Sequence, residues 1–379
     1  MRFAFTEEQE ALRDAARGFF ADHSSPAQVR AAMATDTGYD PTVWQRIGAE
    51  LGWTAILIPE AYGGLGLGYV ELVGLMEEMG AALLCAPFFS TVCLATNVLL
   101  LGASEAQRQA YLPGIAAGTT TATVAITEAN GRWDASGIEL SARQRSDEFL
   151  LNGDKTYVID GHTADLLLVA ARTDGAQAPV GITLFAVPGS TPGLERRLLP
   201  TMDQTRKQAA LTFHNVRVPA TALLGAPGAG WPVLSGALDL AAIALSAEQL
   251  GGAQRCLDMS VAYAKQRVQF GRPIGSFQAI KHKCADMLLR VESARSASYY
   301  AGWAASVRES ELPALASLAK AYCSDAYFHC AAEAVQIHGG VGFSWEYDVH
   351  LYFKRARSSE ILLGDATHHR ELVARRIGL

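Results

Sequence analysis

The hydrophobic pattern of this chain changes period twice, and that double change most restricts what it can fold into. Thr6 followed by Gln9 reads as a capping box, after which Leu12, Ala15, Ala16, Phe19 and Phe20 fall on one helical face. The helical period returns through Val43 to Leu51, Leu72 to Met79 and Ser104 to Ala117, punctuated by Pro59 and by Gly63, Gly64, Gly66 and Gly68. Beyond Thr119 come short β-rich runs: TATVAIT, EFLLNGDKTYVI, DLLLVAA, GITLFAV and LTFHNVRV. Asn152-Gly153, between two such runs, predicts a hairpin. From Leu234 onward the patterns are long and helical again, broken at Gly271 and Pro273, at Pro313 and at Gly339-Gly340, which suits an antiparallel four-helix bundle. The expected fold class is α+β, with an N-terminal helical domain over 1–119, a middle β-domain over 120–225 and a C-terminal helical bundle over 226–379.

Of the 379 residues, 50% are hydrophobic, enough to bury a sizeable core in two or three structural units. A formal net charge of -6 without a basic stripe argues against nucleic acid as a partner. The opening MRFAFTEEQEALRD meets Glu7 and Glu8 before any apolar core, unlike a signal or transit peptide, so the cytoplasm is the expected compartment. The apolar stretch Val233 to Gly252 carries Asp239 and Glu248 and reads as a buried helix, not a membrane span. Six cysteines without CxxC spacing fit buried thiols, and no metal is expected. The chain has no GxSxG elbow, Walker lysine or GxGxxG, and His368-His369 reads as a solvated helix surface.

Four segments, in order, carry a family resemblance: Pro59-Glu60 with Tyr62-Gly63-Gly64 and Gly66; Ala125-Ile126-Thr127-Glu128; Arg267-x-Gln269-Phe270-Gly271-x-Pro273-Ile274-Gly275-x-Phe277-Gln278; and Gln336-Ile337-His338-Gly339-Gly340-x-Gly342. Together, over nearly the whole chain, they resemble the acyl-CoA dehydrogenases. Taken alone, Arg267 is a cation favoured by a helix C-terminus, with Gly271 at the expected C-cap, and Gly339-Gly340 is a turn between helices. The resemblance implies instead that Arg267 and Phe270 contact the pyrophosphate and adenine side of an FAD held mainly by a neighbouring subunit, where a guanidinium offers a planar fork to phosphate. It implies likewise that Gln336 hydrogen-bonds the flavin nucleotide and Gly340 lets backbone approach it. Thr127 and Tyr157 would face the isoalloxazine, and Asp365 and Thr367 would lie at the last flavin-contacting stretch. An acyl-CoA thioester as substrate, an electron-transfer flavoprotein as acceptor, and a homo- or hetero-tetrameric dimer of dimers follow from the same resemblance.

The sequence departs from the family where chemistry begins. The carboxylate that takes the α-proton in most relatives stands before a glycine in the last segment, and the matching position is Leu363 before Gly364. Other relatives carry it in an Asp-x-Glu-Arg arrangement, which reads Asp239-Leu240-Ala241-Ala242 here. A positioned general base supplies roughly 10²–10⁴ in rate. The Trp-x-Thr that faces the flavin reads Tyr157-Val158-Ile159, so Ile159 has no hydroxyl, and the usual Pro-Gly-x-Gly-Ser reads Ala129-Asn130-Gly131-Arg132-Trp133. Three readings follow: a self-sufficient dehydrogenase using Asp365 or Glu248 as base; a base-lacking, cofactor-completing subunit of a heteromeric dehydrogenase; or a family member with other flavin chemistry.

Overall fold

The computed structural model describes residues 5–173 and 180–379. Helices α1 (Glu7–His23), α2 (Pro26–Met33), α3 (Pro41–Gln45), α4 (Tyr69–Ala81), α5 (Thr96–Gly102) and α6 (Glu105–Ala116) come first. Strands β1 (Ala122–Ala125), β2 (Ser141–Arg145), β3 (Glu148–Ile159), β4 (Leu166–Thr173), β5 (Ile182–Pro188), β6 (Leu194–Leu198), β7 (Gln208–Pro219) and β8 (Leu223–Leu224) follow. The chain then runs through α7 (Gly230–Gln266), the short strands β9 (Val268–Gln269) and β10 (Arg272–Pro273), α8 (Gln278–Ser306), α9 (Leu312–His338), α10 (Val349–Ile361) and α11 (Ala366–Arg376). This is the expected order of helices, sheet and helices. Two compact units arise from it, one of residues 1–31, 68–84 and 242–379, the other of 32–67 and 85–241.

In the first unit, α1 starts where the capping box predicts: Gln9 N–H donates to Thr6 Oγ1 at 3.3 Å and Thr6 N–H to Gln9 Oε1 at 2.9 Å. Of its apolar face only Ala16 and Phe20 are buried, and Ala15 is exposed. Helices α4 and α7 approach backbone to backbone. A Cβ on Gly251 would lie 1.8 Å from Glu77 O, and one on Gly80 would lie 2.0 Å from Glu248 O, so only glycine permits the contact from either side. The apolar stretch from Val233 forms part of α7, whose length and composition would suffice to cross a membrane, but whose most apolar window is mostly buried in the protein, as in a core helix. Helix α9 packs against α8, α10 and α11.

In the second unit an eight-stranded sheet runs β6-β7-β3-β2-β4-β5-β8, with β1 parallel to β4. Its core includes Phe149 and Phe185, whose ring centroids lie 5.0 Å apart. The hairpin expected at Asn152-Gly153 is not there. Both residues lie inside β3, at a shift in its register with β7 between Leu151 and Gly153, with Gly153 at φ 132°. The signal is real but serves a bulge: Asn152 Oδ1 accepts from Asn215 N–H at 2.8 Å, and β3 continues because β7 pairs with it on both sides. The turn instead occupies Ser146-Asp147, between Arg145 and its partner Glu148.

Candidate active site

Leu363 sits in the turn between α10 and α11, 4% exposed and at φ 63°, ahead of Gly364 at φ 101°. Two neighbouring helices hold that turn. From α9, the fully buried Lys320 Nζ donates to Ser324 Oγ at 2.8 Å, Glu360 O at 3.0 Å and Gly364 O at 3.1 Å. Three acceptors match an ammonium's three donors, although burial pulls its pKa down to about 7. From α11, His369 Nε2 lies 3.1 Å from Leu363 O and Nδ1 lies 3.2 Å from Ser317 Oγ. A carbonyl only accepts, so Nε2 carries the proton, and burial, with Lys320 and His368 adding to it, lowers the ring's pKa to about 3. His369, expected on a solvated surface, is thus a buried strut, because the Leu363 carbonyl needs a donor that water does not reach.

Both fallback carboxylates are engaged. Asp365 is the N-cap of α11 and accepts from His368 N–H at 2.7 Å. Glu248, buried on α7, pairs with Arg355 Nη1 at 2.9 Å. At the other family base position, Ala241 and Ala242 are buried in α7. Thr367 is exposed in the first turn of α11.

The Arg267 segment differs from its sequence reading. Helix α7 stops at Gln266, and Gly271 is no C-cap. Gln269 pairs with Arg272 across a two-residue turn, Phe270-Gly271, with φ 53° and 77°. Helix caps and tight hairpin turns both demand positive φ, so one glycine signals either. Phe270 is 91% exposed. Arg267 is exposed, with no side-chain partner among the described residues. The end of α9 lies beside this region: Tyr263, one turn before Arg267, stacks on His338 at 4.3 Å. Gln336 is exposed there, and a Cβ on Gly340 would meet nothing within 4 Å.

In the sheet unit, Thr127 and the strand carrying Tyr157 run side by side. Thr127 Oγ1 donates to Thr156 O at 2.5 Å, and Thr156 N–H donates to Thr127 O at 2.9 Å. A clamp that the sequence reading missed fixes both. Lys155, fully buried, donates to Glu128 Oε1 at 2.6 Å and Ile126 O at 3.0 Å, and Glu128 accepts from the Glu139 and Leu140 amides at 3.0 Å. Burial lowers the Lys155 pKa to about 8 against the pull of Glu128. The register with β7 shifts between Lys155 and Val158, and Tyr157 stands at φ 54°, 56% exposed. Ile159 is buried.

Family models for the N-terminal, middle and C-terminal domains of acyl-CoA dehydrogenases match residues 6–119, 123–216 and 228–378. Acyl-CoA dehydrogenase IpdE2 of Mycolicibacterium smegmatis is 36% identical over 360 residues, 95% of either chain. Butyryl-CoA dehydrogenase of Megasphaera elsdenii superposes with a TM-score of 0.92 over 100% of both chains at 30% identity. A chain of the ChsE4-ChsE5 complex of Mycobacterium tuberculosis superposes with a TM-score of 0.90 at 28% identity, over 100% of this chain and 99% of that one.

Proposed function

Because the chain belongs to the acyl-CoA dehydrogenase family, FAD-dependent oxidoreductases acting on CH-CH donors, we propose that it is the base-lacking subunit of a heteromeric dehydrogenase, one that completes a flavin site on a partner chain. One observation carries this reading. The base position is an apolar side chain in a tightly bonded turn, and the two fallback carboxylates, Asp365 and Glu248, already serve a helix cap and an ion pair. Diverting the buried Glu248 from that ion pair would leave the Arg355 guanidinium buried without its partner.

The cofactor-facing residues fit a flavin nucleotide. Arg267 presents an uncommitted planar donor fork suited to a pyrophosphate, and Phe270 offers a bare ring for stacking. Gly340 has neither a positive φ nor a close neighbour in its own chain to require glycine, which suits a cradle against a ligand. FAD, when bound, supplies the acceptor for the hydride that leaves the acyl chain. In this reading Arg267, Phe270, Gln336 and Gly340 serve the partner's FAD, while Thr127, Tyr157 and Ile159 of the sheet unit, and separately Asp365 and Thr367 of the helical unit, are the flavin-contacting positions carried over from the family. The substrate is an acyl-CoA thioester and the assembled acceptor an electron-transfer flavoprotein. The ChsE4-ChsE5 structure, a complex of two different chains, supports a heteromeric assembly.

The test is co-expression with a relative that carries Glu at the base position, followed by light scattering and flavin-to-chain stoichiometry. A mixed, even-numbered assembly with flavin retained is expected, and Arg267→Ala and Gln336→Ala should each lower flavin content several-fold while the circular dichroism spectrum stays unchanged. A monomer with one tightly bound FAD per chain would contradict the reading.

A further inference from the structure

The helical unit holds a cavity of about 600 Å³ that shares no lining residue with the Leu363 turn, the Phe270 hairpin or the end of α9. Its apolar wall comes from Phe20 on α1, Val29 on α2, Ala81 and Leu83 at the end of α4, and Leu351 on α10. Set into that wall are the guanidinium groups of Arg13, Arg17, Arg255 and Arg295. The volume lies within the ~300–1,000 Å³ of small-molecule sites, and an apolar wall with a few convergent charged groups is their usual lining.

The charges divide into satisfied and open ones. Glu77 accepts from Arg13, Arg295 and the Tyr299 hydroxyl, and Glu78 accepts from both Arg13 and Arg17, so each carboxylate is saturated by cations. The further acids on these arginines, Glu10, Asp14 and Glu292, are each more than half exposed. Two cationic groups keep open donors. Arg13 Nε is buried without an acceptor. Arg255, whose charge acts on the nearby Tyr352 hydroxyl, has no ion pair among the described residues, although Asp258 and Asp348 also line the cavity and Asp348 pairs with Arg30.

We propose that this cavity is a second ligand site, separate from the flavin machinery, that takes a small organic anion: an apolar body against α1, α4 and α10 with one carboxylate head toward Arg255. A guanidinium beside an apolar wall is a planar, permanently charged forked donor, which favours a carboxylate over a neutral head of equal size.

The probe is decanoate, titrated calorimetrically into the full chain with 1-decanol as the uncharged control. Saturable one-to-one binding of decanoate is expected, tighter than that of decanol. Arg255→Gln, on the exposed side of α7 and outside the Glu77–Glu78 network, should weaken decanoate about tenfold or more, the loss of a charge-assisted hydrogen bond. Ala21→Trp, at an exposed lining position of α1, should block binding while melting as the wild type does. Absence of saturable binding, binding that survives both substitutions, or decanol binding as tightly as decanoate would each overturn the proposal.

Discussion

In each of two turns of the helical unit a large apolar side chain precedes a glycine and both residues have positive φ: Phe270-Gly271 at 53° and 77°, and Leu363-Gly364 at 63° and 101°. A non-glycine residue in that region costs about 1–2 kcal/mol. Their surroundings are opposite. Leu363 is buried, and its turn is bonded by Lys320 and His369, so contacts within the chain offset the strain. Phe270 is 91% exposed, and the Phe277 ring stands 6.1 Å away edge-on. A two-residue hairpin turn does require positive φ at both positions, but Asn-Gly would meet that requirement at lower cost. Strain that a chain's own packing does not explain points to something outside the chain. The contrast therefore separates a turn closed upon itself, at the position matching the family base, from an exposed one that the proposed reading assigns to a ligand and a partner.

The closed region should be expensive to disturb. Arg355→Met, which leaves Glu248 without its guanidinium, should cost about 3–5 kcal/mol in urea unfolding, and Glu248→Met in the same chain should recover most of it. A loss below about 1 kcal/mol would mean that Glu248 is not tied to structure and would reopen it as a base.

The next effect is smaller and depends on pH. His369 has a folded pKa of about 3, below its ordinary 6.5, so between those values the unfolded chain binds a proton that the folded chain does not. Stability from this group is therefore complete above pH 6.5 and lost as pH falls toward 3. Unfolding free energy should drop by about 2 kcal/mol from pH 6.5 to 5 on its account, and His369→Gln should flatten that segment. His350, lowered to about 4 by burial, adds in the same direction and should leave a residual slope in the variant. Equal slopes in wild type and variant would show that the turn does not depend on a neutral imidazole.

The smallest effect sharpens the comparison most, because its two readouts move in opposite directions. Phe270→Asn should stabilise the isolated chain by about 0.5–1 kcal/mol by relieving the left-handed strain, and should also weaken flavin retention in the mixed assembly. A variant that neither gains stability nor loses flavin would remove the distinction between the two turns.

What could be read from the sequence was local. The α1 capping box is a pair of side-chain-to-backbone bonds three residues apart, and the double change of period follows from which face each element buries. Asn152-Gly153 and Gly271 were visible as positions of unusual backbone but were assigned to the wrong devices, because hairpin, bulge and helix cap draw on the same residues and the choice depends on distant strands. The buried charges were not legible. Lys320, Lys155 and Arg355 drew no reading from the sequence, Glu128 stood only as part of a family segment and Glu248 as a candidate base, and only three-dimensional neighbours turn them into struts. Leu363 was identified through family frame alone, since a leucine before a glycine carries no chemical signal of its own.

Whether this chain supplies a base decides between a completing subunit and a complete enzyme. Anaerobic stopped-flow reduction of bound flavin by a saturated acyl-CoA tests that directly, comparing the chain alone with its complex with a Glu-bearing relative. The chain alone should reduce flavin at least ~10² more slowly than the complex, the lower range of what a general base supplies, and Asp365→Asn and Glu248→Gln should leave the rate of the complex unchanged. Rapid reduction by the chain alone, abolished by either substitution, would show that the base is present and that this is a complete enzyme.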